Sequence, residues 1–338
     1  MKRKEKVTIK DIAKELGITP SSVSRALNGG SKISDKTREA VIRLADEWGY
    51  RPNLIAQNLQ KSRSGTIGVV IPEFNHNFFS MMLHGIEDKA KEMGYRLLIE
   101  STGRSYEVEK QACFKMAAAK VDGLLIALSQ DMEDYAYLND ITDDGIPIVL
   151  LDRICEDLDV PAVITDDFAG AFEAVHYLLE GGHEQVLHLK GEEGISTTFN
   201  RYMGYVEAHK KHSLEINSAL IIPYSEKEQI QEMIIHRLSQ VTRPTAIFAC
   251  SDYLAFIAME TVKSIGLQIP EDVSIIGYAD EPITVYTSPK LTTVKQPSYE
   301  MGQKAVTLLF DPIAKANSQL VKLGTSLILR DSTQPIVS

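Results

Sequence analysis

Carboxylate, hydroxyl and aromatic side chains follow several apolar segments in the sequence. Asp152 closes one apolar run, Ser251 and Asp252 close a later one, and Phe78 and Phe79 follow the first. Carboxylates accept hydrogen bonds from hydroxyl groups, and aromatic faces cover the apolar face of a ring. These residue types predict a pocket for a sugar or a nucleobase.

Each of these residues also has a purely structural interpretation. Asp252 is a suitable N-cap for the helical pattern that follows it, and the two phenylalanines could belong to an apolar core. Asp152 could pair with Arg153 or Arg201. The pocket interpretation therefore requires that these side chains meet in one crevice.

Sequence signatures of common enzymes are missing. The first apolar run is not followed by G-x-G-x-x-G, and the sequence has no G-x-x-x-x-G-K-[ST], G-x-S-x-G or H-E-x-x-H. Cys113, Cys155 and Cys250 have no paired spacing, and the eight histidines are dispersed, with His183 expected to order a turn after a helix. We therefore expect no enzymatic activity, no cofactor and no metal site, with reduced thiols as in a cytoplasm.

Strand-like apolar segments alternate with helical patterns from Thr66 onward. The segments are TIGVVIP, YRLLIE, VDGLLIAL and IPIVLLD, and then QVLHL, SALIIP, AIFAC and VSIIGY. Continuous apolar strands separated by helices are typical of parallel sheets covered on both faces. The pattern predicts two doubly wound α/β lobes, of about 66–164 plus 297–330 and about 165–296, with ligands beyond the carboxyl ends of the strands.

A small all-α head is predicted before these lobes. Its helices are Ile9 to Leu16, Pro20 to Leu27, and a third that begins after Ser34 and ends at Gly49. Thr8 and Thr19 are N-cap residues for the first two helices, and Gly17 provides the turn between them. The second helix keeps small polar residues and Arg25 on the face opposite its apolar side. This is a helix-turn-helix pattern.

Charge is divided unevenly along the 338 residues. Residues 1–63 contain 14 Lys and Arg against 7 Asp and Glu, whereas the remaining chain contains 22 against 39, giving the total of −10. A basic head on an acidic body favours a head that meets phosphate groups. We see no signal peptide and no apolar run of the length that a membrane span needs.

A series of motifs runs through nearly the whole chain. They are VTIKDIAKELGITPSSVSRALNG, GYRPNLIAQNLQ, IGVVIP, VDGLLIA, IPIVLLDR, RYMGY, VSIIGYAD and PKLTTVKQP. In this order they resemble the lactose/galactose repressor (LacI/GalR) family of bacterial transcription regulators. The resemblance implies a helix-turn-helix domain in residues 1–52, a hinge helix and linker in 53–65, and a periplasmic-binding-protein-like domain for effector binding and dimerisation in 66–338.

The resemblance also implies which residues contact DNA. Base-reading positions fall on Pro20, Ser21 and Arg25, and Arg25 is the expected bidentate donor to a guanine. The phosphate-facing positions are Thr8, Thr19, Ser24, Tyr50 and Asn53. In the hinge helix Ala56 and Leu59 contact DNA, with Leu59 inserted into the minor groove at the operator centre. Gln57 stands where many relatives carry arginine.

The implied effector contacts depart from the family in one place. The positions are Phe78, Phe79, Asp152, Thr197, Arg201, Tyr224, Ser251 and Asp252. Ala279 replaces an acid that usually binds effector, and Asp280 should face elsewhere by strand alternation. We therefore expect an anionic or less hydroxylated ligand to bind better than a neutral hexose. We also expect Asp152 to orient Arg201, and Arg201→Ala to remove the effector response with little effect on folding.

The resulting prediction is a homodimeric, effector-gated transcription factor, a repressor of carbohydrate or related catabolic genes. Its partners are a near-palindromic operator and a sugar or related metabolite. The alternative is a sugar-binding protein or a sugar-processing enzyme without a DNA role. The basic head and the missing signal peptide argue against the first alternative, and the missing catalytic motifs argue against the second.

Overall fold

The chain divides into two compact units, Met1–Ser64 and Gly65–Ser338. A computed structural model describes residues 7–27, 33–50, 63–129, 134–155 and 158–336. Each unit has an apolar core of its own, so each is built around its own set of elements.

Three helices form the described part of the first unit, which we call the head. They are α1 (Ile9–Glu15), α2 (Pro20–Leu27) and α3 (Asp35–Glu47). Thr8 donates from its backbone N–H and its hydroxyl to Asp11 Oδ2, at 2.8 and 2.7 Å, and Gly17 has the positive φ of 64° that ends α1. The buried core is Ile12, Ala13, Val23, Ala26, Val41 and Ala45. The predicted head helices are thus confirmed to within one residue.

The second unit alternates strands and helices. Its described strands are β1 (Thr66–Ile71), β2 (Arg96–Ser101), β3 (Gly123–Ala127), β4 (Ile148–Leu151), β5 (Ala162–Thr165), β6 (Val186–Leu189), β7 (Ile221–Ile222), β8 (Ala246–Ala249), β9 (Ser274–Ala279), β10 (Thr292–Lys295), β11 (Leu320–Leu323) and β12 (Ser326–Ile328). Its described α-helices are α4 (Asn77–Glu92), α5 (Tyr106–Ala118), α6 (Tyr137–Asp143), α7 (Asp167–Glu180), α8 (Ser196–Lys211), α9 (Lys227–Leu238), α10 (Asp252–Ser264), α11 (Ser298–Leu309) and α12 (Pro312–Ala316). Short 3-10 helices span Ser218–Leu220 and Pro282–Val285.

These strands form two six-stranded sheets, one in each lobe. Lobe 1 has the order β11-β5-β4-β3-β1-β2, with every pair parallel, and lobe 2 has the order β12-β10-β9-β8-β6-β7. Successive side chains of a strand enter separate cores, as with Val69 and Val70 in lobe 1 and Ile247 and Phe248 in lobe 2. Both sheets are therefore covered on both faces, and the predicted doubly wound α/β architecture is confirmed.

The chain passes between the lobes three times, after β5, after β10 and after β11. Gln296 Nε2 donates to Thr165 Oγ1 at 3.1 Å, which joins the first two crossings. The sequence pattern predicts that 297–330 belongs to lobe 1. α11 and β11 do lie in lobe 1, but β12 pairs antiparallel with β10 in lobe 2, so only the predicted end of this segment is wrong. A strand of three residues carries too little periodicity to assign it to a lobe from sequence.

The segment after β12 packs along lobe 2. His183 Nδ1 lies 2.9 Å from Thr245 Oγ1, and its Nε2 lies 2.9 Å from the carbonyl oxygen of Gln334. The expected structural role of His183 is therefore confirmed, since it joins the turn before β6 to the C-terminal segment.

Candidate functional site

The face of α2 opposite the head core carries the predicted base-reading residues. Pro20, Ser21 and Arg25 are exposed, whereas Val23 and Ala26 on the other face are buried. Arg25 lies in the last turn of the helix. The sequence produces this division because apolar residues recur only on the side that faces the head core.

The predicted phosphate-facing residues within the described head lie at helix starts or near its core. Thr8 and Thr19 are exposed N-cap residues, and Thr19 Oγ1 accepts from the backbone N–H of Ser22 at 3.2 Å. Ser24 is half-buried, and Tyr50 packs against the head core, where burial raises the pKa of its hydroxyl. The predicted hinge contacts lie outside the described residues; these are Asn53, Ala56 and Leu59, with the neighbouring Gln57.

Contacts between the two lobes define a crevice at the carboxyl ends of the strands. The backbone N–H of Asn77, at the start of α4, donates to Glu281 Oε1 of lobe 2 at 3.2 Å. Arg104 Nη1 lies 3.3 Å from Glu192 Oε1 of lobe 2, and Arg104 Nε donates to Glu73 of its own lobe at 2.9 Å. Charged side chains therefore join the lobes along the rim of the crevice.

His76 lies between two carboxylates of this rim. Its Nε2 is 3.5 Å from Glu73 Oε1, and its Nδ1 is 3.7 Å from Glu281 Oε1. Hydrogen bonding to Glu281 raises the pKa of the imidazole, and Glu73 adds to this, while burial and Arg104 oppose it. His76 and Asn77 thus both contact Glu281 of lobe 2.

Asp152 forms the floor of the crevice on the lobe 1 side, directly after β4. Its side chain is 8% exposed, and within the described chain no group donates a hydrogen bond to Oδ1. Oδ2 lies 3.8 Å from Arg153 Nε, which exceeds hydrogen-bond distance. Burial raises the pKa of Asp152 to about 6, with opposing effects from Arg153 and Arg201 and a further increase from Asp167. The residue also has a φ of +64°, a conformation that non-glycine residues rarely adopt.

Arg201 forms the opposite floor, on the lobe 2 side. Its Nε and Nη2 lie 2.8 and 2.7 Å from Asp167 Oδ1, and its Nη1 donates to the carbonyl oxygen of Cys250 at 2.7 Å. The guanidinium also stacks on Tyr278, 3.8 Å from the ring centroid. The expectation that Asp152 orients Arg201 is therefore wrong. Asp167 performs this role because the first turn of α7 lies directly against α8.

Asp252 is buried in lobe 2, and both of its carboxylate oxygens have protein partners. Thr293 Oγ1 donates to Oδ1 at 2.6 Å, and the backbone N–H of Glu281 donates to Oδ2 at 2.7 Å. Burial raises the pKa of Asp252 to about 6, although both hydrogen bonds lower it. The N-cap of α10 is Ser251, which accepts from Leu254 N at 3.3 Å. These contacts give Asp252 a structural role, and its predicted contact with effector stays a prediction.

The aromatic residues predicted for the pocket separate into two groups. Phe78 and Phe79 are buried in the core of lobe 1 as an edge-to-face pair 5.2 Å apart, as the core alternative predicts, and their effector contact stays a prediction. Tyr224 is exposed at the rim. The partial burial of its hydroxyl raises the pKa of this group, and the negative charge of Glu192 raises it further. Thr197 is buried in the first turn of α8. Tyr224 is therefore the most exposed of the three aromatic side chains predicted for the pocket.

Asp280 does not substitute for the acid missing at position 279. Its Oδ1 accepts from Arg330 Nη2 at 2.6 Å, and Arg330 also donates to the carbonyl oxygen of Leu291 at 2.8 Å. The expectation from strand alternation that Asp280 faces elsewhere is consistent with this pairing.

Sequence reasoning missed five charged residues of the crevice. They are Glu73, Arg104, Asp167, Glu192 and Glu281. Arg104 and Glu192 are 88 positions apart, and no local pattern connects them. Asp167 carried a weak signal, since it is the second acid in the sequence TDDF, where a strand passes into a helix.

The described residues contain no group of three His, Cys, Asp or Glu side chains that could hold a metal ion. Their helices include none with the length and apolar character needed to cross a membrane.

Two family models match the chain. The model described as bacterial regulatory proteins, lacI family, matches residues 8–53. The model described as periplasmic binding proteins and sugar binding domain of the LacI family matches residues 64–328. The first match covers the head helices, and the second covers both sheets.

Relatives match over nearly their full length. The HTH-type transcriptional regulator DegA of Bacillus subtilis (strain 168) is 32% identical over 334 residues, which cover 98% of this chain and 99% of DegA. The HTH-type transcriptional repressor CytR of Escherichia coli (strain K12) is 31% identical over 345 residues, which cover 99% of this chain and 98% of CytR.

Solved structures have the same architecture. The Lac repressor dimer bound to operator and the anti-inducer ONPF matches with a TM-score of 0.85 and 25% identity, over 98% of this chain and 100% of that chain. The complex of the regulator CelR with cellobiose matches with a TM-score of 0.71 and 27% identity, over 97% of this chain and 100% of that chain. A LacI family regulator from Enterococcus faecium with bound ribose matches with a TM-score of 0.69 and 29% identity, over 80% of this chain and 100% of that chain.

Proposed function

Because the chain belongs to the LacI family of bacterial transcriptional regulators, we propose that it is a homodimeric repressor whose operator affinity is set by a small molecule in the crevice. Its DNA-binding head and its effector domain are those of the family. The named relatives are regulators, and the proposal includes no enzymatic activity. The site of action is the cytoplasm, where the DNA is.

The exposed polar face of α2 is the observation that carries the DNA-binding proposal. Pro20, Ser21 and Arg25 extend from a helix whose other face is closed by the head core. A helix of this kind enters the major groove, where a guanidinium can donate twice to a guanine. The backbone contacts of the proposal come from Thr8, Thr19, Ser24 and Tyr50. The proposed DNA contacts of the hinge segment are Asn53, Ala56 and Leu59.

Selection from random duplex DNA with the full-length protein tests this function. Two heads related by a twofold axis should enrich a near-palindrome whose half-sites are about one helical turn apart. The enriched duplex should then bind with a steep salt dependence, because binding to phosphates releases counterions. Recovery of unrelated sequences after repeated rounds would contradict a sequence-specific regulator.

The effector proposal rests on the crevice between the lobes. Relatives were solved with cellobiose and with ribose, which supports a small polar ligand. The candidate contacts are Phe78, Phe79, Asp152, Thr197, Arg201, Tyr224, Ser251 and Asp252. Asp152 has an unused acceptor, and Arg201 uses three of its nitrogens but retains further N–H groups. Ligand that binds one lobe arrangement better than another would change operator affinity.

Dimer formation is supported by apolar side chains exposed in the single chain. Tyr286, directly after the short 3-10 helix Pro282–Val285, is 82% exposed, and Ile283 in that helix and Tyr253 at the start of α10 are also exposed. The matching Lac repressor structure is a dimer. Sedimentation velocity should show a dimer for the wild type and dissociation for Tyr286→Glu. A stable monomer that still protects a palindrome would contradict the proposal.

A further inference from the structure

Charged groups in the crevice are unequally matched. The crevice contains six carboxylates and three guanidinium groups among the described residues; they are Glu73, Asp152, Asp167, Glu192, Asp252 and Glu281, and Arg104, Arg153 and Arg201. His76 adds a positive charge only when it is protonated. The potential of a low-dielectric cleft follows the sign of its excess charge, so this crevice attracts cations and repels anions.

The arginines of the floor are already engaged by protein groups. Arg201 is neutralised by Asp167 at 2.7 Å and donates to the Cys250 carbonyl. Arg153 donates through Nη1 to the carbonyl oxygen of Leu128 at 2.8 Å. An anionic ligand that used either guanidinium would lie beside the Asp152 or Asp167 carboxylate, and this repulsion opposes its binding.

Asp152 differs from the other carboxylates of the floor because it has an unused oxygen. Oδ1 is buried, and none of the described groups donates to it, whereas Asp252 and Asp167 have partners on both oxygens. A buried carboxylate without a donor is costly, so a group that donates to it gains both a hydrogen bond and the relief of that cost. Oδ1 therefore retains an acceptor site for a donor that the described residues do not supply.

We propose that the effector carries a protonated amine and that this ammonium group donates to Asp152 Oδ1. Amino sugars and other amine-bearing polyols or nucleosides belong to this class, and phosphorylated or carboxylated metabolites do not. A hydroxyl group would fill the acceptor but would leave the acidic excess unchanged, whereas an ammonium group satisfies both. This inference rests on the proposed effector role of the crevice, and it reverses the sequence-based expectation of an anionic ligand.

Thermal denaturation of the full-length protein with matched ligands tests the inference. The sugar probes are D-glucosamine, D-glucose and D-glucose 6-phosphate, and the scaffold-free probes are ethylammonium chloride, sodium acetate and sodium chloride at equal ionic strength. The amines should raise Tm most within each set. Asp152→Asn should weaken amine binding by about 10- to 100-fold, because a hydrogen bond to a charged group is lost. Asp143→Asn, which removes an exposed carboxylate at the end of α6, should leave the amine effect in place.

The changes in Tm of the wild type and of Asp152→Asn decide whether the ligand is an amine. Amine preference that disappears in Asp152→Asn supports the inference. Equal effects of amine and hydroxyl probes, tighter binding of the phosphate or acetate probe, or no response to any amine would overturn it. Operator binding measured with the same probes separates the two proposals: amines that bind through Asp152 without changing operator affinity contradict the gating function, whereas gating by an anion contradicts only the ligand class.

Discussion

The outer face of α2 and the floor of the crevice are both polar, but they differ in how their polar groups are satisfied. Pro20, Ser21 and Arg25 face solvent, and water can satisfy them when DNA is absent. The carboxylates of the crevice floor are buried, so they need hydrogen-bond or ion-pair partners. Substitutions on α2 should therefore affect binding alone, whereas most substitutions in the crevice should affect stability as well.

Asp152 is the exception that sharpens this comparison. It is buried like Asp167 and Asp252, yet among the described residues it lacks a donor on Oδ1, while Asp252 has one on each oxygen. Both carboxyl groups have a pKa raised to about 6 by burial. The pKa therefore does not distinguish Asp152 from Asp252, whereas their hydrogen-bond partners do.

Arg201→Ala should have the largest effect on folding. It leaves Asp167 buried without its cation, and breaking a buried pair in this way costs about 3–5 kcal/mol. Urea denaturation followed by circular dichroism measures the loss. Trp48, the single tryptophan, lies in the head, so its fluorescence checks that the head stays folded. This expectation replaces the sequence-based one of little effect, and an unchanged free energy of unfolding would argue that the Asp167 pair is unimportant.

Asp252→Ala should have the next largest effect. The Glu281 amide and the Thr293 hydroxyl lose their acceptor, and unpaired buried donors cost about 1–3 kcal/mol in total, partly offset by removal of a buried charge. The same denaturation measures it. If Asp252 acted mainly on ligand, the variant would unfold like the wild type and lose only its response to effector.

Asp152→Asn should change stability in the opposite direction. It removes a buried carboxylate whose ionisation opposes folding, so we expect a gain of about 1–3 kcal/mol near pH 7, corresponding to the upward pKa shift from 3.8 to about 6. Asp143→Asn serves as the exposed control. A loss of stability in Asp152→Asn would mean that Oδ1 has a donor that the chain itself supplies.

The pH dependence of the free energy of unfolding tests the same ionisation of Asp152. A carboxyl group whose folded pKa is raised favours folding when protonated, so its stabilisation is full below about pH 4 and is lost as pH rises through about 6. Both Asp152 and Asp252 act in this direction. Asp152→Asn should therefore reduce the decrease in stability between pH 4 and pH 7 but leave the part due to Asp252. An unchanged slope would exclude ionisation of Asp152 as its cause.

Arg25→Ala should have the smallest effect on folding. The side chain is exposed in the last turn of α2, and surface substitutions of this kind change the free energy of unfolding by less than about 0.5 kcal/mol. Arg43→Ala, which removes an exposed arginine of α3, is the matched control. A large loss for Arg25 alone would assign it to the packing of the head.

The same contrast explains what the sequence could predict. Helix bounds in the head follow from local signals such as the Thr8 cap and Gly17, and the doubly wound sheets follow from continuous apolar strands. The crevice depends on partners that only the fold brings together. The sequence predicts Asp152 as the partner of Arg201, but the partner is Asp167 of α7, which is 34 positions away in the sequence. Glu281 accepts from the backbone N–H of Asn77, which is 204 positions away. No local periodicity encodes such pairs.

Fluorescence anisotropy with the selected operator and a scrambled duplex tests the central claim that α2 reads DNA sequence. Wild type, Arg25→Ala and Arg43→Ala are compared at one salt concentration. Arg25→Ala should lose about 1–3 kcal/mol of operator binding while its affinity for scrambled DNA changes little, because it loses a base contact rather than a phosphate contact. Arg43→Ala should resemble the wild type on both duplexes. Equal losses of Arg25→Ala on operator and scrambled DNA would contradict the assignment of α2 as the reading helix.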